Sequence, residues 1–428
     1  MIERRRAIMS DNIVPDDAII IAKRSANEKA LMDVIFAQGW SESPSFMRKA
    51  EAEMVTSIGT AFKGNTKITD FSAFKYFTSV TTLGSAFNEC YNLASITLPP
   101  NLETINGDTF ERCRSLRYLS FPDSVTSITG NFVLNRCGVK HLHFGKGLAT
   151  MSFSYYYGLD IDSITVDVEN PKFSSYDGCN GLFTNSTLIL GCKNTTFPPH
   201  ITAIGKGAFE QANVGNLYIP NTIKSYGDSC LRQCNINATL ELPSGSTLGE
   251  FCFYNSPNLD LIIPETIGDI KTESLRGSKW FNKQEDGVVY CNDFVVGYRG
   301  TYDPVVTIRE GSRIICNEAF EDCSGITSIK IPASVKEIRA YAFNRCSNLV
   351  IADIDGSPYI GVTKVFVNTN KLEICIFRGD SVVNIKRAQF TTKTTFYVKD
   401  TLVQSFISNN DLSADRVKPL SELPDEYK

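Results

Sequence analysis

The sequence predicts a repeat solenoid, mainly β, in which short parallel strands stack turn upon turn. Three observations predict it. An apolar anchor, typically following a small residue as in Ala86-Phe87, returns at Phe62, Phe87, Phe110 and Leu134, then at Phe209, Leu231, Phe253 and Leu275, then at Phe320, Phe343, Phe366 and Phe390. Within those runs the spacing is always 22–25 residues, the size of one supersecondary unit. Each anchor leads into an apolar-x-x-apolar-x-apolar segment often closed by proline, as in Leu93, Ile96, Leu98 and Pro99. Alternation of this kind buries one face of a strand, and proline then blocks further pairing. One such unit cannot bury its apolar side alone, whereas stacked copies can.

The bulk properties agree. A chain of 428 residues is too long for one ordinary core. With 42% hydrophobic and 21% charged residues and a formal net charge of −4, it has the composition of a folded globular protein. Lys and Arg are scattered, so no nucleic-acid footprint is expected. No run approaches the ~18 apolar residues of a membrane span. The opening MIERRRAIMSDNIVPDD is positive but is broken by Asp11, Pro15, Asp16 and Asp17, so no export signal is expected.

Along the chain, residues 1–54 are expected to form an N-terminal helical cap or adaptor. Ser25 and Glu28 are spaced as a capping box, Leu31, Val34 and Ile35 give a stripe, and Gly39 closes the helix. A second helix is expected from Pro44 to Met54, with Ser43 as its N-cap. The solenoid is expected over 55–399, as about 13–14 repeats with longer units near 165–208 and 276–319. After each strand a second apolar pair, such as Leu102 and Ile105, leads back to the next anchor. Residues 400–428 are expected to form the C-terminal cap. Thirteen cysteines without any C-x-x-C do not read as a disulfide framework. Cys90, Cys113, Cys137, Cys234, Cys323 and Cys346 fall three residues after an anchor, and Cys230 and Cys252 just before one. They read as small apolar spacers in the stack.

The unit AFNECYNLASITLPPNLETI and its near copy AFEDCSGITSIKIPASVKEI resemble the BspA-like, treponemal-type leucine-rich repeat, from about Val55 to Val398. Two longer stretches, Asp177–Gly191 and Glu285–Gly300, resemble the hairpin insertions of that family, and Asp400–Leu423 its C-terminal helix and end-piece. The resemblance implies a non-enzymatic binding protein, typically a surface adhesin or interaction module of bacteria and some protists, also found in phages of gut bacteria. The chain departs from the adhesin pattern in showing no export signal and no anchoring domain.

Candidate chemistry is sparse. There is no G-x-S-x-G or H-E-x-x-H, and Gly205-Lys206-Gly207 lacks the rest of a phosphate loop. No enzyme activity, cofactor or metal site is expected. His141 and His143 share one strand face, with Leu142 and Phe144 buried between and beside them. What remains is the row of outward strand residues. Its aromatic, basic and aliphatic members are Tyr118, His141, His143, Tyr218, Ile262 and Lys330, then Ile351, Ile374, Ile376 and Tyr397. Exposed aromatic and aliphatic side chains on a rigid face suit contact with a protein or cell-surface glycan. At ~4.8 Å per strand, that face would extend roughly 60–70 Å. The reading is a binding or adhesion protein; the alternative is a decoration or host-recognition component of a phage particle, assembled without a signal peptide.

Overall fold

The computed structural model describes residues 14–153, 159–360 and 364–428. Residues 1–13, which carry most of the export-signal reading, lie outside it. The chain is a mainly-β solenoid of about 16 turns with parallel strands. It divides into two compact units, one comprising 1–222 and 231–238, the other 223–230 and 239–428.

The turn is built around the anchor. Anchors from Phe62 to Phe366 are at most 2% exposed, while Phe390, at the last turn, is half-buried. Two positions before and two after the anchor, the backbone is repeatedly left-handed: Ser85 and Glu89, Phe251 and Asn255, Glu318 and Asp322, Tyr341 and Arg345 all have φ between 50° and 62°. Such residues cost ~1–2 kcal/mol each when they are not glycine. The compensation is hydrogen bonding along the stack. Phe87 N–H donates to Thr109 O (3.0 Å) and Glu89 N–H to Glu111 O (2.9 Å). Phe343 N–H donates likewise to Val365 O (3.0 Å), and Arg345 N–H to Val367 O (3.1 Å).

Those bonds set one anchor over the next. Phe87 and Phe110 stack with centroids 5.7 Å apart and planes 9° apart. Phe320–Phe343 (5.2 Å, 11°) and Phe343–Phe366 (5.0 Å, 10°) repeat the arrangement in the second unit. The cysteines fill the adjoining slot: Cys113 Sγ donates to Phe87 O (3.1 Å) and Cys346 Sγ to Phe320 O (3.0 Å). All thirteen are free thiols, and all but Cys179 are buried. Burial pushes the Cys90 thiol up to about 11 and those of Cys137 and Cys323 to about 12.

Many turns contribute two strands, where only the first was legible as one. In the first unit the first-strand ladder includes Tyr118–Phe121, His141–Phe144 and Ser163–Val166, all parallel. The second apolar pairs form a ladder of their own through Thr82–Gly84, Thr104–Asn106, Ser127–Gly130 and Thr150–Phe153. In the second unit the first-strand ladder runs from Val305–Thr307 through Ser328–Ile331, Ile351–Ile354 and Ile374–Phe377 to Thr395–Val398 and Val417–Pro419.

The two longer units do form hairpins. Gly181–Phe183 pairs antiparallel with Thr187–Gly191, and Gly287–Cys291 with Phe294–Arg299. In each case the returning strand joins the second-strand ladder, pairing parallel with Ala203–Ile204 or Ile314–Ile315. The hairpins therefore extend that ladder, and their strands form no part of the first-strand one.

At the N-terminal end, a helix covers Ala26–Ala37, and the Ser25 side chain accepts from Glu28 N–H (3.1 Å) as expected. The second expected helix is corrected. Phe46–Arg48 is a strand, antiparallel to Ala18–Ile21, and only Lys49–Glu53 is helical. The apolar Ile19-Ile20-Ile21 run needs a ladder partner, and burying Met47 beside Ile20 outweighs the helix-start signal of Ser43-Pro44. Leu31, Met32 and Ile35 join the same core as Phe62 and Phe71. Asn27 then acts as a strand surrogate: its Nδ2 donates to Asp70 O (2.8 Å), and its Oδ1 accepts from Thr69 and Asp70 N–H (2.7 and 3.0 Å). Asn410, 5% exposed, does the same at the other end, accepting from Ile385 N–H (2.8 Å) and donating to Val383 O (3.0 Å).

Two outcomes follow from this packing. Phe343→Ala removes a ring stacked on both sides and should cost ~3–5 kcal/mol; a denaturant midpoint equal to wild type would show the anchor register to be wrong. A colorimetric thiol reagent should react quickly with Cys179 alone in the folded protein and with all thirteen cysteines after denaturation. Rapid native labelling of several thiols would contradict the buried slot.

Candidate functional site

Strand alternation sends Leu119 and Phe121 into the core and leaves Tyr118 and Ser120 outside, and each neighbouring strand repeats the pattern. In the first unit the register places Tyr118 beside His141 and His141 beside Ser163. Ser120, His143 and Thr165 align in the next column. Tyr118 is 68% exposed and stacks flat on His141, with centroids 4.6 Å and planes 12° apart. His141 Nδ1 lies 2.8 Å from Ser163 Oγ, and His143 Nδ1 lies 3.0 Å from Thr165 Oγ1. A histidine–serine contact can activate a nucleophile. Here the imidazole–hydroxyl rung repeats in the neighbouring column, which marks it as a property of the ladder.

The following turn carries Asn194, whose Nδ2 donates to Asp162 O (2.9 Å). Beside it Asn216 and Tyr218 continue the face; Tyr218 is 76% exposed. The charged groups at the strand starts are occupied with one another: Lys140 pairs with Asp160, and Lys193 with Asp162. The Lys193 ammonium holds the Asp162 carboxyl below its ordinary range. Ser163, Thr165, Asn194 and Thr196 were missed as face residues, because their turns lack the anchor–cysteine signature. Matching Asn194-Thr195-Thr196-Phe197-Pro198 to Asn216-Leu217-Tyr218-Ile219-Pro220 is the signal that finds half of them.

In the second unit Ile262 is 56% exposed, and Lys330 is exposed. Ile351 and Ile374 are half-buried, and Val305, which was not singled out from sequence, is 67% exposed. Ile376 and Tyr397 are corrected: they are 1% and 6% exposed. Val417–Pro419 adds a strand beyond Thr395–Val398, so the residues after it lie across the face and bring Leu420, Leu423 and Tyr427 onto Ile376 and Tyr397. Arg378 fixes this end-piece, donating to Tyr427 O (3.0 Å) while it grips Asp353 (2.8 and 3.0 Å). The apolar outward row there is completed within the chain.

A family model described as the BspA type leucine rich repeat region, with six copies, matches residues 56–182, 179–281 and 304–405. No curated protein matches. Among solved structures, a leucine-rich repeat protein from Eubacterium ventriosum is 17% identical, with a TM-score of 0.41 over 68% of this chain and 73% of that one. One from Bacteroides ovatus is 18% identical, with a TM-score of 0.34 over 79% and 86%. A leucine rich cell surface protein from Faecalibacterium prausnitzii is 21% identical, with a TM-score of 0.27 over 69% and 65%.

Away from the strand face, Glu273, Glu318 and Glu321 bring carboxylate oxygens within 4.8 Å of one another. Two of them occupy the left-handed slot before an anchor, and the third follows Phe320, so no linear motif announces them. A hard cation could take one oxygen from each, but guanidinium groups already serve the cluster: Arg276 pairs with Glu273, and Arg345 with Glu321 (3.2 Å). Burial, then the charges of Glu321 and Glu273, push Glu318 from 4.5 up to about 7. A raised carboxyl stabilises the fold below its unfolded value, and that contribution is lost as pH rises through about 7. Wild type should therefore lose more thermal stability between pH 5 and pH 8 than Glu318→Gln; parallel melting curves at both pH values would refute the assignment.

Proposed function

Since the chain belongs to the BspA-type leucine-rich repeat family, we propose that it is a binding protein whose first-strand face engages a protein or glycan, most simply in adhesion. The carrying observation is the pair of large aromatic side chains, Tyr118 and Tyr218, held 68% and 76% exposed on that face. Aromatic groups fixed this way contribute contact area with little entropy to lose on binding. On the face between them, the His141–Phe144 strand is hydrogen-bonded on both sides, which supports a preorganised surface.

The test uses the labelled full chain on cells and on extracellular-matrix proteins. The doubly substituted chain, Tyr118→Ala with Tyr218→Ala, should keep the wild-type melting temperature and lose roughly tenfold or more in affinity. Saturable binding that ignores both substitutions would place the binding surface elsewhere; no binding at all would remove the adhesion reading.

A further inference from the structure

The chemistry of the face in the first unit is narrower than that of a general docking surface. From Tyr118 to Tyr218 the outward strand residues carry no formal charge. They are tyrosines at the two ends, with imidazoles, hydroxyls and amides between. The nearby ionic groups cancel locally, Lys140 with Asp160 and Lys193 with Asp162. A nucleic acid or a sulfated chain would require unpaired cations. A protein partner would require an apolar core, rich in aromatic and aliphatic anchors, at the centre of the patch. Among the described residues neither is present in these outward columns, and the Arg117 guanidinium beside Tyr118 donates to the carbonyls of Arg114 (2.7 Å) and Gly138 (2.8 Å).

Resting on the binding reading above, we propose that this face takes a neutral, linear oligosaccharide, with Tyr118 and Tyr218 as stacking platforms at its two ends. A sugar ring offers a C–H face that packs on an aromatic ring, and hydroxyls that both donate and accept. Side chains able to reciprocate are amides, hydroxyls and neutral imidazoles, each carrying donor and acceptor capacity. Asn194 and Asn216 supply the amides, and the His141–Ser163 and His143–Thr165 rungs supply the rest. Both rungs engage Nδ1, so Nε2 is the nitrogen left for a ligand. Beside Tyr218 the face deepens into a cleft of about 440 Å³ walled by Asn194, Thr196 and Asn216, within the size range of small-ligand sites. Four strand steps separate the tyrosines, so the run is ~19 Å long. That length suits a short run of sugar rings laid across the strands, with one ring near each rung.

The experiment is calorimetric titration of the full chain with cello-, xylo-, manno- and chito-hexaoses, with heparin and hyaluronan fragments as acidic comparators. The expected result is saturable binding of at least one neutral hexaose, insensitive to added salt. It should weaken roughly tenfold in Tyr118→Ala or Tyr218→Ala and persist in Tyr218→Phe, which keeps the ring. The inference is overturned if no neutral hexaose binds, if the acidic fragments bind better, or if binding ignores both tyrosines. A protein partner lost in Tyr218→Ala, with no sugar bound, would overturn this inference and leave the broader binding function standing. Partners indifferent to both tyrosines would remove the two together.

Discussion

The backbone hydrogen bonds that run from one turn to the next are the constraint on which the rest of this chain depends. They require two left-handed residues around most anchors, a local cost that only the stacked neighbour offsets. Once they form, every slot of a turn lies over the same slot of the next. Rings then stack on rings, thiols point at the preceding carbonyl, and polar slots must pair with their own kind. Asn88 and Asn135 both donate to Glu111 (3.1 and 2.9 Å), so an amide–carboxylate–amide column runs along the stack. Where the columns instead bring three carboxylates together, at Glu273, Glu318 and Glu321, two arginines and a raised carboxyl absorb the repulsion.

That constraint also determines what was legible. The anchor period, the buried cysteine slots, the Ser25 cap and the two hairpins are each a short-range pattern, and each stands in the structure as read. The second ladder was not read, because strands of two to four residues such as Thr104–Asn106 carry too few side chains to display alternation. The Pro44 helix failed because its start signals are local, while the strand that replaces it depends on a partner 25–30 residues earlier. For the candidate face, inward and outward positions were assigned correctly on Tyr118, His141, His143, Tyr218, Ile262 and Lys330. Ile376 and Tyr397 failed because exposure on a strand is decided by whatever crosses it, and the end-piece crosses there.

The two units therefore use one backbone scheme for different surfaces. In the first, the outward columns are neutral and able to hydrogen-bond, with an aromatic ring at each end. In the second, the last columns turn aliphatic, and Leu420, Leu423 and Tyr427 complete them. The same rule of alternation generates an open face in one and an internal interface in the other. Only the chemistry of the outward residues differs.

Asn27 and Asn410 carry a consequence for how such a chain can change. Each offers a side-chain amide, one donor and one acceptor, to backbone near an end of its unit, Asn27 at the strand beginning with Asp70 and Asn410 at Val383 and Ile385, whatever side chains that backbone bears. The terminators are therefore indifferent to the identity of the turn they close. Unequal recombination that added or removed a whole internal turn would leave both terminators seated on a backbone of the same shape. Length can drift by whole periods while the outward residues are selected one position at a time, so a gene of this kind explores reach and recognition as independent variables.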